Sequence, residues 1–372
     1  ENTFNKKFDL VSIAPGRINL IGEHTDYNEG LAMPIAINKW VVSCLRKSKK
    51  NSFSVFSINY NKAIQIDANM NLDKSEPSWI KLVYKIILLL RSEFNINGGA
   101  EIAVEGNIPI GCGLSSSAAF VVSITLGILE LYNIKISLNR LAELSQRIEG
   151  TALGIDCGLL DYYSAIYSKQ DCAMAIDFKF KKFDYIPIPK NQFSIIVINS
   201  LVTRQLANSE YKKRVIECLH GLEILKQKFH IDNFRDIDYK MLTTLEQNKI
   251  LHNRLKHYID ENNRVREVKL KLFESYLEVG EILRSSHESL KTLYEVSCEE
   301  IDYIIDLSES FNGWLGGRII GGGFGGCSIH LVNVDVILDY QDYIKKYFRK
   351  KYNYDLDIYE VKYSSGISIY NE

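Results

Sequence analysis

Gly106-Asn-Ile-Pro-Ile-Gly-Cys-Gly-Leu-Ser-Ser-Ser-Ala-Ala119 decides how the rest of this chain is read. A β-rich run, Glu101-Ile-Ala-Val-Glu105, leads into it, and Pro109, Gly111 and Gly113 turn it. Ala118 to Leu131 then continues as an apolar-periodic segment of helix length. Three consecutive serines, Ser115, Ser116 and Ser117, fall where that helix starts, so they are expected to cap its orphan amides. The glycines let the backbone approach whatever those amides bind, and the helix start adds the positive end of its dipole. The pattern predicts an anion cradle that suits a phosphate; an ordinary capped helix after a glycine turn fits the local sequence equally well. It is not a Walker A loop, which needs a Lys before its Ser or Thr, because no Lys lies between Gly106 and Tyr132. Positive charge beyond the backbone dipoles must come from a metal ion or from residues elsewhere.

At 372 residues and 42.6 kDa the chain has the length of two ordinary domains. Its 46% hydrophobic and 24% charged residues are those of a globular protein, not a disordered or fibrous one. A formal net charge of −1 gives no global attraction for nucleic acid or anionic membrane, so any phosphate-binding charge is local. The seven cysteines are scattered without a C-x-x-C pair, which argues against zinc or dithiol redox chemistry and for reduced thiols in the cytoplasm. The first residues lack an apolar signal core, and the greasiest run, Ile86 to Leu90, is too short to span a bilayer. Secretion and membrane insertion are therefore not expected.

Phe8 to Ala14 reads as a strand that Pro15-Gly16 ends. After it, Arg17, Glu23, His24, Asp26 and Asn28 crowd into a glycine-flanked span up to Gly30. That composition is poor core material, so it reads as a site or a solvated loop. Ile35 to Leu45 and Ser52 to Ile66 carry strand composition, and Trp79 to Phe94 and Ser137 to Ile148 carry helical periodicity, the latter bringing Glu149 to its end. All six prolines lie at or before Pro189, and helical patterns dominate beyond it: 209–229, 241–260, 264–293 and 298–311. The boundary is placed between Asp184 and Phe193, giving an N-terminal domain of residues 1–190 and a C-terminal domain of 191–372. A second glycine cluster, Gly316-Gly-Arg-Ile-Ile-Gly-Gly-Gly-Phe-Gly-Gly-Cys327, runs into a strand at Ser328 to Val332. Its glycine density favours close approach of another segment or a ligand over a simple turn.

Three separated segments resemble the signature of the GHMP sugar and metabolite kinases, and within them the galactokinase family: Gly16-Arg-Ile-Asn-Leu-Ile-Gly-Glu-His-Thr-Asp-Tyr27, Pro109 to Ala118, and Gly321 to Gly326. Cys157-Gly-Leu-Leu-Asp161, Asn208-Ser-Glu-Tyr211, Tyr294-Glu-Val-Ser-Cys298 and Ser364-Ser-Gly366 agree with it, so the likeness spans nearly the whole chain. The resemblance implies a two-domain α+β fold with the active site in the cleft between the N- and C-terminal domains. It also implies transfer of the γ-phosphoryl group of ATP to the anomeric hydroxyl of galactose.

Phosphoryl transfer needs a phosphate cradle, a divalent metal, a group for the hydroxyl proton and a cation near the transferring group. By resemblance, Gly111, Cys112, Gly113, Leu114, Ser115, Ser116 and Ser117 bind ATP, while Ser117 and Glu149 hold Mg²⁺. Asp161 is the catalytic acidic residue, as base or as anchor, and Arg17 stabilises the transferring group and keeps Asp161 ionised. Glu23, His24, Thr25, Asp26, Gly158 and Tyr211 are expected to bind the sugar together with Asp161.

Two positions depart from the family pattern: Tyr162 stands where Gln is usual and Arg204 where His is common. Both are expected on the sugar side, where they bear on substrate identity. Galacturonate, N-acetylgalactosamine, arabinose or a cyclitol are the alternative substrates, and a silent sugar and ATP sensor is an alternative class. The complete set Arg17, Ser117, Glu149 and Asp161 speaks against the sensor. The partners expected are a small sugar and ATP, with no nucleic acid and no membrane, and a monomer is compatible with the sequence.

Overall fold

A computed structural model describes residues 7–67, 70–73, 75–154, 157–202 and 207–371. In chain order the first half holds β1 (Leu10–Asn19), β2 (Leu31–Ala32), β3 (Pro34–Ser48), β4 (Phe53–Ser57), β5 (Lys62–Ile66), α1 (Ser78–Phe94), β6 (Gly99–Gly106), α2 (Ser116–Leu131), α3 (Leu138–Leu153), α4 (Leu160–Tyr167), β7 (Cys172–Asp177) and β8 (Lys182–Pro187). The second half holds β9 (Phe193–Asn199), α5 (Ala207–Lys228), α6 (Tyr239–Leu242), α7 (Lys249–Lys271), α8 (Tyr276–Thr292), α9 (Glu299–Glu309), β10 (Trp314–Ile319), β11 (Cys327–Asn333), α10 (Ile337–Tyr352), β12 (Asp357–Val361) and β13 (Ser368–Asn371).

The principal sheet has the order β13-β1-β3-β6-β4-β5, antiparallel except where β4 runs parallel to β6. Helix α2 lies on β1 and β3, with α1, α3 and α4 beside it. Its near-continuous apolar sequence follows from burial on almost every side, including Val121, Val122, Ile124 and Ile128. Gly127 lets it sit close to the sheet, because a side chain there would strike Leu45. The second sheet, β10-β11-β9-β12, is wholly antiparallel and packs against the C-terminal helices, and a small third sheet is β2-β7-β8.

Three expectations are corrected. Strand β1 does not stop at Pro15-Gly16 but continues to Asn19, with a register shift between Pro15 and Arg17. Proline has no amide to give the ladder, so the strand bulges there and re-aims Arg17. The bulge is held by Arg17 N donating to Leu114 O at 3.1 Å, which docks β1 on the serine loop. The helical run expected from residue 241 begins instead at Lys249, where Asn248 caps Leu251 N, and continues to Lys271 as α7. The second sheet starts just past Pro189, yet β13 returns to pair with β1, so a cut at residue 190 leaves the last strand in the sheet of the first half.

Candidate active site

Two cavities meet at one point between the halves of the chain. The first, of about 210 Å³, is lined by Asn19, Glu23, His24, Asp26, Gly158 and Tyr211 among others. The second, of about 460 Å³, runs between Gly111 to Ser117 and Gly321 to Gly326. Arg17, Asp161, Gly321 and Gly322 line both.

Arg17 and Asp161 form the junction. Arg17 Nε and Nη2 both donate to Asp161 Oδ1, at 2.8 and 2.5 Å, and Arg17 Nη1 donates to Gly113 O. The Arg17 side chain is 8% exposed and that of Asp161 31%, so the carboxylate is the half of the pair open to a ligand. Asp161 lies in the first turn of α4, where the helix dipole favours a negative charge.

The serine loop differs from the expected cap. Ser115 occupies the N-cap of α2 in a left-handed conformation, φ 62°, and its side chain caps no amide. Its buried Oγ has no partner among the described residues. Ser137 at the start of α3 is a true cap, extended and accepting from Arg140 N. The first amides of α2 are therefore left for a ligand, which is what an anion cradle needs. Gly113 and Gly321 face each other so closely that a Cβ on Gly321 would lie 2.9 Å from Gly113 Cα. Cys112 is buried and does not line the cavity, and its thiol donates to Ile110 O at 3.7 Å.

Glu149, on α3, is buried beside this loop. Burial raises its pKa, while hydrogen bonds from Ser117 and from Tyr162, whose Oη lies 2.7 Å from Oε2, work against that rise. A buried carboxylate next to a serine hydroxyl at the mouth of an anion cradle suits a hard divalent cation that takes its other ligands from phosphate and water. Among the described residues no cluster of three or more His, Cys, Asp or Glu forms a self-contained metal cage. Tyr162 is fully buried and lines neither cavity, but it touches Glu149 and Cys157, both of which line the smaller one, so it stands directly behind that wall.

The sugar-side residues are held by one another. Glu23 Oε2 accepts from Arg318 Nη2 at 2.7 Å and Asn19 Nδ2 at 3.0 Å, and Oε1 accepts from Gly321 N at 2.7 Å. Arg318 is fully buried and also donates to Leu20 O and Asn19 O. The Glu23 charge thus has a cation that sequence reading overlooked, although Arg318 stands inside the second glycine cluster. Asp26 has no such partner among the described residues: burial, then the charges of Asp161 and Glu23, push its pKa up to about 7. A Cβ on Gly158 would overlap the Asp26 carboxylate, so a side chain there would displace it.

The His24 ring packs against Tyr211 and Tyr294, with centroids 5.5 and 4.9 Å away. Burial lowers its pKa to about 3, so it is a neutral ring, and its Nε2 has no partner among the described residues. Thr25 is corrected too: fully buried, with Oγ1 3.0 Å from Gly22 O and 2.7 Å from Leu31 O, it shapes the loop and does not line the cavity. Arg204 lies outside the described residues.

Family models match three stretches of the chain: the galactokinase galactose-binding signature over residues 1–47, the GHMP kinases N terminal domain over 81–169, and the GHMP kinases C terminal over 269–348. Galactokinase of Thermotoga maritima is 34% identical over 355 residues, 95% of this chain and 98% of the relative. Galactokinase of Staphylococcus carnosus is 32% identical over 378 residues, 99% and 96%. Among solved structures, Lactococcus lactis galactokinase complexed with galactose superposes with a TM-score of 0.93 at 28% identity, covering 99% of this chain and 97% of that one. A mevalonate kinase shares the fold, with a TM-score of 0.65 at 19% identity over 95% and 98% of the two chains.

Proposed function

The chain belongs to the galactokinase family of GHMP kinases, and from that premise we propose how its two cavities carry out the family's reaction. The reaction is transfer of the γ-phosphoryl group of ATP to the anomeric hydroxyl of galactose, giving galactose 1-phosphate and ADP. Galactose occupies the smaller cavity and ATP the larger, with the phosphate chain on the open amides of α2. The observation that carries this reading is the Arg17–Asp161 pair, common to both cavities and anchored on the serine loop through Gly113 O.

Asp161 orients the anomeric hydroxyl and takes its proton as the oxygen bonds to phosphorus, and the ADP oxygen leaves on the opposite side. In a loose transition state the proton moves late, so a carboxylate paired with Arg is basic enough. Arg17 bears on the phosphoryl oxygens as their charge redistributes and fixes Asp161 between the two substrates. Ser117 and Glu149 would hold Mg²⁺, a hard cation that would supply neutralisation of the phosphate charge. Tyr162 fixes the Glu149 carboxylate for that task, so its departure from the family pattern bears on the metal ligand as well as on the wall of the smaller cavity.

Asp26 and His24 recognise the sugar, the first accepting from hydroxyls and the second through Nε2, which has no partner among the described residues. Because Arg318 answers the charge of Glu23 and Arg17 that of Asp161, exclusion of a sugar carboxylate falls to Asp26. Galactose is thereby favoured over galacturonate, and the family assignment likewise does not favour the other alternative sugars. Among the described residues no helix is long and apolar enough to cross a membrane, and no disulfide forms. An ADP-release assay of the purified protein across galactose, glucose, galacturonate and N-acetylgalactosamine tests the reading. The expected result is a kcat/KM for galactose far above the rest; a galacturonate value equal to or above it contradicts the proposal.

A further inference from the structure

The span that faces the sugar-side cavity is not self-supporting. Gly22 has a left-handed φ of 96°, and a Cβ there would strike Leu31 O and Val265 on α7. His24 follows at φ 61°, an uncommon conformation for a residue with a side chain. Such a backbone persists only when its surroundings over-determine it. The surroundings here are a buried polar row on α7, a helix more than 200 residues away in sequence.

Glu261 is fully buried on that helix. Its Oε1 accepts from Gly22 N at 2.9 Å and Glu23 N at 3.1 Å, and Ser286 Oγ and Arg264 Nε supply its remaining hydrogen bonds. Burial opposes its ionisation, but Arg264, His257 and Arg318 outweigh it and lower its pKa to about 2. One turn earlier on the same face, His257 Nε2 lies 3.2 Å from Glu23 O and Nδ1 lies 2.8 Å from Ser289 Oγ. A carbonyl can only accept, so His257 donates through Nε2 and accepts the Ser289 hydroxyl at Nδ1. Both polar ends of Glu23's main chain are thus held from α7, and Asn262 Oδ1 holds Leu31 N at 2.7 Å beyond the loop.

We propose that Glu261, supported by His257, is a positioning residue for the sugar: it fixes the Gly22–His24 main chain so that the Glu23 carboxylate and the His24 ring face the cavity. Glu261 touches no substrate and lines neither cavity. Its effect is therefore on the sugar and not on the nucleotide, which is bound by other segments. The inference rests on the assignment of the smaller cavity to the sugar.

The test is a paired KM measurement on the full chain. Glu261→Ala is expected to raise the sugar KM by about 10- to 100-fold, the scale of an ångström-level misplacement, with the ATP KM within about 2-fold of wild type. Glu261→Gln keeps an acceptor for the two amides while losing the charge that Arg264 pairs with, so it is expected to lower Tm yet keep a sugar KM within about 3-fold of wild type. Hydrogen exchange gives a readout independent of turnover: the Gly22 and Glu23 amides are slow in the wild type and become fast in Glu261→Ala. His257→Phe serves if Glu261→Ala does not fold, with the same split expected.

A folded Glu261→Ala or His257→Phe with a wild-type sugar KM overturns the proposal. So does an equal rise in both KM values, or equal sugar defects in Glu261→Gln and Glu261→Ala. A wild type that prefers a sugar other than galactose contradicts the assigned reaction but not the clamp, since the same comparison is then made with that sugar.

Discussion

On one side of the Arg17–Asp161 pair the cleft is lined by carboxylates, a neutral histidine and two tyrosines; on the other it is lined largely by glycines and serines. The sugar side spends its charges on one another: Glu23 is tied to Arg318, Asn19 and Gly321 N, and its own main chain to α7. The nucleotide side leaves polar groups open, including the uncapped start of α2 and the Ser115 Oγ, which has no partner among the described residues. The contrast follows from the ligands. Hydroxyl stereochemistry is read only by acceptors and donors at fixed points, whereas a phosphate chain is satisfied by amides and dipole. Rigidity is therefore concentrated on the sugar side and close approach on the other.

The largest expected effect lies at the junction. Asp161→Asn keeps the shape but removes the charge that Arg17 holds, and kcat is expected to fall roughly 10²-fold or more. Both substrates should still bind, since each cavity keeps its own walls. Near-normal kcat would show that the pair is a structural link between the cavities and not the reacting centre.

Next comes the sugar side alone. Gly158→Ala would push a methyl group into the space of the Asp26 carboxylate. Galactose KM is expected to rise about 10- to 100-fold while ATP KM changes little, in keeping with displacement of one recognition group. If both KM values rose together, the two sides would be less separable than their construction implies.

A smaller effect is expected from pH. With the free-state pKa of Asp26 near 7, its carboxyl accepts hydroxyls best when ionised, so sugar binding expels a proton below that pH. Galactose KM should rise as pH falls from 8 to 6 and level off above about 8, with ATP KM following a different profile. In Asp26→Asn the sugar KM should be high and lose this dependence. A flat wild-type profile would assign the recognition to groups already ionised throughout.

The smallest effect compares two serines at helix starts. Ser137→Ala removes a working cap and should cost about 1 kcal/mol in urea unfolding. Ser115→Ala removes a hydroxyl that caps nothing, and its cost should stay within about 0.5 kcal/mol. Equal losses would mean that Ser115 caps α2 after all and that the cradle is not held open.

That pair of serines also shows where sequence reading reaches its limit. The position of both helix starts was legible, because apolar periodicity and small polar residues are local signals. Whether a serine caps was not, since it depends on the left-handed backbone that the glycine turn imposes on Ser115. The sugar signature could be read as a site from its crowding of charged residues among glycines, and Arg17, Glu23, His24 and Asp26 are brought to one cavity. Thr25 sits in the same run but turns inward, which no spacing rule reveals. Glu261 and His257 were invisible as functional groups because they look like ordinary polar residues on a long helix and meet their partners across more than 230 positions. Arg318 was in view inside a glycine cluster, yet its role needs the fold that carries β10 against the end of β1. The overrun of β1 past Pro15 was hidden because a bulge tolerates what a regular ladder forbids.

The central claim is that Asp161 and Arg17 join a galactose cavity to an ATP cavity so that the anomeric oxygen attacks the γ-phosphorus. Phosphorus NMR of the product formed from ATP, Mg²⁺ and galactose by the purified chain tests it most directly. The account predicts one sugar phosphate whose signal couples to the C1 proton, formed in step with ADP. Phosphate on any other carbon, or ADP released as inorganic phosphate accumulates with no sugar phosphate, would contradict it.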